Sequence, residues 1–449
     1  MNLPIVCIAK AVRTVGFGAV SVVLALYLIE KGFSAAEVGA LFSLTLLEDA
    51  FITTVASALA NRVGMRLILL VASLLVLIGG FAIAFAHAKW LLAIAVIFGI
   101  VSPAGYEGGP FAPIEQAIIS QSVKREKLTT AFSAYNLVGF GGAALGALIA
   151  GGCVALMKGT PVIQAYQAIF LLYAATSILL AILYLSIDIA DVVPRVKEKV
   201  SARGNSGRFV EAAISSTGEA WSQMKESWKT TFSGPGESKK HIRNLAFLQG
   251  LDAFGGGFVV QSLLTCWFYQ RYHVDATFLG PVFFSCNVIA ALSFVLAPLV
   301  VRRIGLLNSM VFTHLPCSLA LCMLPFFPSA SWAAGLLLVR SLFSSMDIPA
   351  RQAYTLLIVS DKERPAAAGA VASARAVAQG ISPCLTGFLI SNAVTGLPLV
   401  LAGAFKSVYD VCLYHAFKHV PFYHDPAERA PLMESPQAEE ESRNPELVR

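Results

Sequence analysis

The stretch Ser57-Ala58-Leu59-Ala60-Asn61-Arg62-Val63-Gly64-Met65-Arg66 stands between two apolar runs, 36–60 and 66–88. Crossing a hydrocarbon core takes roughly 20 residues of apolar helix, and each run meets that length. The stretch between them therefore reads as a short basic turn joining two spans. Outward from it the same pattern continues along the 449 residues, long apolar runs set apart by brief polar punctuation. Hydrophobic residues make up 56% and charged residues 13%, with a mean hydropathy of +0.70, which excludes a water-soluble domain as the main body. Runs of this length call for helices that satisfy their own backbone, whereas a β-barrel would show short alternating segments.

Spans are expected near 12–32, 36–60, 66–88, 90–121, 129–156 and 162–187, then near 244–271, 277–301, 305–327, 332–358, 366–392 and 395–417. The fold class is thus an all-α polytopic membrane protein of about twelve transmembrane helices in two six-helix bundles, 1–188 and 244–417. Between them, 189–243 carries ten Lys or Arg against six Asp or Glu and reads as a cytoplasmic linker. Trp221, Met224, Trp228 and Phe232 recur in it at helical spacing, the pattern of an amphipathic helix lying in the interface or on the protein's own cytoplasmic face. The tail 418–449 is too poor in apolar residues to fold alone and is expected to be disordered. Met1 to Lys10 leads into the first span without a small-residue cleavage site, so no cleaved leader is expected.

Orientation follows the basic residues in the loops. Arg62, Arg66, Lys124, Lys127, Arg302, Arg303, Lys362 and Arg364 fall on one side, against Lys31, Lys89, Lys158 and Arg271 on the other. Both termini are therefore expected to be cytoplasmic in a multi-pass protein of a plasma or inner membrane. Glu428 to Met433 resembles an acidic dileucine-type sorting signal, which points instead to a eukaryotic endomembrane. The eight cysteines lack metal-type pairing and read as small core residues. His415, His419 and His424 read as solvated, so no metal and no cofactor is expected.

The halves repeat internally, the most useful architectural signal in a carrier sequence. Arg62-Val63-Gly64 matches Arg303-Ile304-Gly305, and Gly39 matches Gly280, both at an offset of 241. Pro113-Ile114-Glu115-Gln116-Ala117 matches Pro349-Ala350-Arg351-Gln352-Ala353 at 236. Three ordered matches point to a duplicated six-helix unit.

With these features the chain resembles the major facilitator superfamily of transporters, from about Lys10 to Phe417. The family's loop motif, Gly-x-Leu-Ala-Asp-Arg-x-Gly-Arg-Arg, corresponds to residues 57–66: Leu59, Ala60, Arg62, Gly64 and Arg66 fit, while Ser57, Asn61 and Met65 depart. Asn61 removes the acid that in the family helps latch the cytoplasmic gate. Thr313-His314-Leu315-Pro316 and Met346-Asp347-Ile348-Pro349-Ala350-Arg351-Gln352-Ala353-Tyr354 resemble a largely uncharacterised, mainly bacterial permease branch. The drug/proton antiporters' Arg in the fourth span is missing, and Ala147 stands where their fifth-span motif has Pro. Gly139, Gly141, Gly142 and Gly146 read as close helix packing.

Ionisable residues at membrane depth are costly and mark candidate function. The set is Arg13, Glu48, Asp49, Glu107, Glu115, Asp252, Arg340, Asp347, Arg351 and Arg375. The resemblance implies that the first, fourth, seventh and tenth spans line a central cavity, so Arg13, Glu107, Asp252, Arg340 and Asp347 become candidates for the substrate or proton path. Asp49 and Arg375 join them; Glu48, adjacent to Asp49, cannot share its helix face. Gly105, Gly108, Gly109 and Pro110 surround Glu107, so its helix is expected to be irregular. Gate candidates are Asn61, Arg62, Gly64, Arg66, Glu115, Arg303 and Arg351. Two pairings across the halves are weighed, Arg13 with Asp252 and Glu115 with Arg351. The alternatives are pairings within each half, such as Glu115 with Arg125 or Arg351 with Asp347.

The function these readings imply is secondary transport of a small solute by alternating access, with proton coupling as an added expectation and a monomer in the bilayer as the working unit. The alternatives are a polytopic receptor or scaffold and a membrane-embedded enzyme. Motifs for hydrolysis or ATP use are absent from the sequence, and the basic residues lie where topology demands, so no nucleic-acid partner is expected.

Overall fold

The computed structural model describes residues 2–124, 127–187, 222, 237–358 and 364–420. Arg125, Lys362, His424, the four aromatic and Met positions of the linker helix and the segment Glu428 to Met433 lie outside the described residues, as do the side chains of Asn61, Arg62 and Arg364.

Fifteen α-helices are present among the described residues. In chain order they are α1 Asn2–Glu30, α2 Ala35–Val63, α3 Met65–Phe85, α4 Lys89–Phe98, α5 Phe111–Ser122, α6 Leu128–Leu156, α7 Val162–Leu185, α8 Glu237–Gly257 and α9 Gln261–Tyr272. Beyond these come α10 Ala276–Ile304, α11 Leu306–Met323, α12 Ala330–Phe343, α13 Asp347–Leu357, α14 Arg364–Ser391 and α15 Leu397–Phe417. Ten segments are long and apolar enough to cross a membrane. The other two spans are α4 with α5, split by a loop, and α14, which carries Ala, Ser and Gly in place of larger apolar residues.

Local chemistry explains several ends. Ser34 caps α2 in a reciprocal box with Glu37, satisfying two orphan donors. Asp275 caps α10 by accepting from the Thr277 N–H at 3.0 Å. The repeated Arg-x-Gly turns use Gly64 at φ +102° and Gly305 at φ +82°, a left-handed conformation that a side chain would strain. In consequence α2 passes to α3, and α10 to α11, with a single residue between.

The fourth span breaks over 99–110, as its glycines lead one to expect. The seventh also breaks, at Phe258–Val260 after three successive glycines, and the tenth at Ser344–Met346, where continuous spans are expected from hydropathy alone. The first helix starts at Asn2 rather than near 12, which brings Lys10 inside the bundle.

Within each half the pairing is equivalent: α1 packs on α6 and α3 on α7, as α8 packs on α14 and α11 on α15. Added methyls at Gly142 and Gly146 would strike the α1 backbone, with Ala11 O and Ala19 N each 2.7 Å away, and one at Gly139 would strike Lys10. Gly141, grouped with them on sequence, faces open space.

The halves meet through α2 on α14 and α6 on α10. Gly39 faces Gly387, where a methyl would lie 2.7 Å from the opposing Cα; Gly280 faces Gly151, where it would lie 2.8 Å away. Small residues here let two backbones touch. Both crossings lie far from the basic loops. Nearby, Gln261 Nε2 donates to Ser21 Oγ at 2.8 Å, Ser262 Oγ donates to the Ser21 carbonyl at 2.8 Å, and the Ser262 N–H donates to Pro103 at 3.0 Å. Ser43 Oγ accepts from the Cys384 N–H at 2.8 Å. At the basic end α5 packs on α1, α2, α3 and α6, while α13 packs on α10, α11 and α14, each within its own half.

Candidate functional site

In the N-terminal half the charged side chains converge where α1 passes α5. Glu115 is fully buried and its carboxylate is saturated: Arg13 Nη2 lies 2.5 Å from Oε2, Tyr135 donates to Oε2 at 2.6 Å, and Tyr184 donates to Oε1 at 2.7 Å. Three other helices thus hold one acid of α5. The Arg13 guanidinium lies 4.8 Å from the Phe111 ring centroid and 5.7 Å from that of Phe17, so its face is covered by aromatic carbon. Lys10, also buried, pairs with Glu107 and sits 4.7 Å over the Tyr135 ring. Glu107 is 42% exposed and lies 3.8 Å from Arg13 through its second oxygen. It is therefore the one acid of this cluster that water reaches readily. Its loop is held by Ser102, which donates to the Glu107 carbonyl, and by Asp49, which accepts from the Gly109 N–H. Glu48 points elsewhere, and its Oε1 is buried with no hydrogen-bond partner among the described residues.

In the C-terminal half the centre is Asp252 on α8, only 2% exposed. Lys406 approaches at 2.6 Å, Arg375 at 2.8 Å and Arg351 at 3.0 Å, with His314 Nε2 at 3.4 Å. Arg351 also reaches Asp347, one helical turn before it, at 3.1 Å. His314 Nδ1 lies 2.8 Å from Asp410. Asp252, His314, Asp347, Arg351, Arg375 and Lys406 wall a cavity of about 280 Å³ between the halves, to which the N-terminal half contributes Ala104, Tyr106 and Phe140. Arg340 lines it with no ion pair among the described residues, and its Nε is buried without a hydrogen-bond partner.

In this arrangement, whose basic ends keep apart, the ion pairs form within the halves rather than across them. Arg13 does not meet Asp252, nor Glu115 Arg351; the four residues combine as Arg13 with Glu115 and Asp252 with Arg351. The reason is depth in the fold: α5 packs on α1, and Arg351 of α13 reaches Asp252 on α8, the first helix of its own half. Of the gate candidates, Arg66 donates to the Ile187 carbonyl, tying the turn to the end of α7, and Arg303 is exposed in the last turn of α10.

Lys10, Lys406 and Asp410 complete these clusters but are missing from the sequence-derived set. Lys406 and Asp410 lie inside an apolar span and satisfy the same criterion as the others. Lys10 falls outside only because the first span is set too short. Tyr135 and Tyr184 carry no signal in sequence, since an apolar helix accommodates tyrosine in many roles.

A family model described as Major Facilitator Superfamily matches residues 6–345, and the chain belongs to that family. Its members among the structural neighbours are carriers rather than enzymes. The uncharacterized membrane protein YJR124C of Saccharomyces cerevisiae is 23% identical over 406 residues, covering 89% of this chain and 90% of the yeast protein. Among solved structures, the nucleoside transporter NupG aligns with a TM-score of 0.68 at 13% identity, over 93% of this chain and all of its own. The D-xylose-proton symporter aligns at 0.65 and 14% identity, covering 94% and 98%, and the human organic anion transporter MFSD10 at 0.61 and 14%, covering 92% and 98%. This chain has their fold and is an integral, multi-pass secondary transporter.

Proposed function

We propose that the chain moves one small solute at a time through the central cavity by alternating access, with bundles 1–188 and 244–417 rocking against each other and the basic end cytoplasmic. The observation that supports this best is the asymmetry of contact between the halves. Among the described residues their hydrogen bonds lie at the middle and at the end remote from the basic loops, while α5 and α13 keep to their own halves. Such an arrangement suits the inward-open state of a carrier. The structural neighbours are named for a nucleoside, a sugar and organic anions, so substrate choice lies in the cavity walls rather than in the fold.

Saturable counterflow in proteoliposomes is the expected behaviour. Specific binding without flux would favour the receptor reading. Reporter fusions after Lys199 and Ala438 should both read cytoplasmic, and an external signal from either would reverse the assigned orientation.

Proton coupling is assigned to Glu107, because it is the solvent-reached acid facing buried Lys10 and Arg13. A proton on it removes the counter-charge of Lys10 and so loosens the tie between the loop of the fourth span and α1. Glu107→Gln should insert normally yet lose most gradient-driven flux while keeping exchange. An unchanged flux and pH profile would remove Glu107 from the mechanism.

A further inference from the structure

Four cations line the cavity, Arg340, Arg351, Arg375 and Lys406, against two carboxylates, Asp252 and Asp347. Asp252 is divided among three of the cations, and Asp347 is engaged by Arg351. Behind the wall, Asp410 is taken up by His314. Even with Asp410 counted and His314 neutral, four cations meet three carboxylates. The surplus falls on Arg340, which has no acid of its own among the described residues. An unmatched charge at membrane depth is expensive unless a ligand supplies its partner.

We infer that the cavity binds a small organic anion, with Arg340 as its principal counter-charge and Arg375 beside it. Passage of that anion across the membrane rests on the carrier reading, whereas its binding does not. A guanidinium presents parallel N–H donors that match the two oxygens of a carboxylate or phosphate. The remaining wall suits a compact apolar body: Tyr106 and Phe140 lie 6.3 Å apart between ring centroids, Phe283 and Leu264 add to the lining, and Asn287 and Ser341 are its neutral polar groups. A volume of about 280 Å³ suits a compact metabolite.

The test is binding to the purified full-length protein in detergent, read as thermal stabilisation at matched ionic strength. Benzoate and nicotinate are set against their neutral isosteres benzamide and nicotinamide, with inorganic phosphate and chloride as further arms. A carboxylate should bind at least about tenfold more tightly than its amide, a difference of about 1.4 kcal/mol. Stabilisation confined to phosphate would assign the site to phosphorylated solutes, still as an anion site. Arg340→Gln should abolish the preference, and Arg340→Lys should keep part of it. Ligand-free Arg340→Gln should be no less stable than the parent, since it relieves an unmatched charge. The inference fails if acid and amide bind alike, if no carboxylate or phosphate exceeds chloride, if Arg340→Gln keeps the preference, or if that variant is destabilised without ligand, which would make Arg340 structural. Flux separates the two readings: an anion that binds but never crosses refutes the carrier alone, whereas flux of a neutral solute with no anion preference refutes this inference alone.

Discussion

In the N-terminal half a cation on the first span, Arg13, meets a carboxylate on the fourth, Glu115; in the C-terminal half a carboxylate on the seventh, Asp252, meets a cation on the tenth, Arg351. These are the same two places of the duplicated unit, with the signs exchanged. The surroundings differ as well. Glu115 is sealed by two tyrosine hydroxyls, whereas Asp252 is shared by three cations and borders the cavity. The brace between the first and fourth helices is common to both halves, and its polarity is reversed. One half holds a closed structural cluster, and the other a charged wall.

The strongest challenge to this contrast is Asp252→Asn. It strips Lys406 and Arg375 of their acid and leaves Arg351 only Asp347, so a loss of roughly 3 to 5 kcal/mol is expected, seen as collapse of the monodisperse fraction on size exclusion. Glu115→Gln should lose less, because one tyrosine can still donate to the amide oxygen while the other accepts from the amide N–H, and Glu107 remains near Arg13. Equal losses would mean that the two clusters are not differently built.

Exchange of partners is sharper still as to connectivity. Arg13→Glu with Glu115→Arg should recover part of the thermal midpoint lost in either single change. Glu115→Arg with Arg351→Glu should recover none, since it sets Arg beside Arg13 and Glu beside Asp252. Rescue by the second combination and not the first would restore a gate pair across the halves.

Gly39→Ala and Gly280→Ala test whether the two contacts between halves are equivalent. Each places a methyl within 3 Å of an opposing Cα, an overpacking of about 1 to 3 kcal/mol. Cysteine labelling at the remote end should rise to a similar extent in both, and a rise in only one would break the equivalence. Smallest of all, Ser21→Ala removes the hydroxyl that accepts from Gln261 but leaves the carbonyl that accepts from Ser262, so a stability loss of about 0.6 kcal/mol is expected, seen as a small drop in the thermal midpoint.

Span count and the duplicated turns are legible because membrane crossing imposes length, and because a turn like Gly64 or Gly305 tolerates little but glycine. The quartet Arg13, Glu115, Asp252 and Arg351 is legible for the same energetic reason, since charge at depth needs cause. Their pairing is not. Pairing depends on which helices lean together at that depth, and the repeat gives equivalence between halves without contact within one. The breaks at Phe258 and Ser344 also escape hydropathy, which averages over a few irregular residues.

The two glycine crossings have a mechanical consequence. Gly39 against Gly387 and Gly280 against Gly151 act like a pair of pins in one door. Two such pins define a line, and turning about that line keeps both in place while sliding shears both. From Gly39 to Val63 the second span runs 24 residues, a lever arm of about 36 Å at a rise of about 1.5 Å per residue. Each degree of swing about the pins therefore displaces the basic end by about 0.6 Å. A contact that leaves no room for a methyl at the remote end is thus paired with a long arm, so that on the proposed rocking motion a small turn there becomes a large displacement at the basic end.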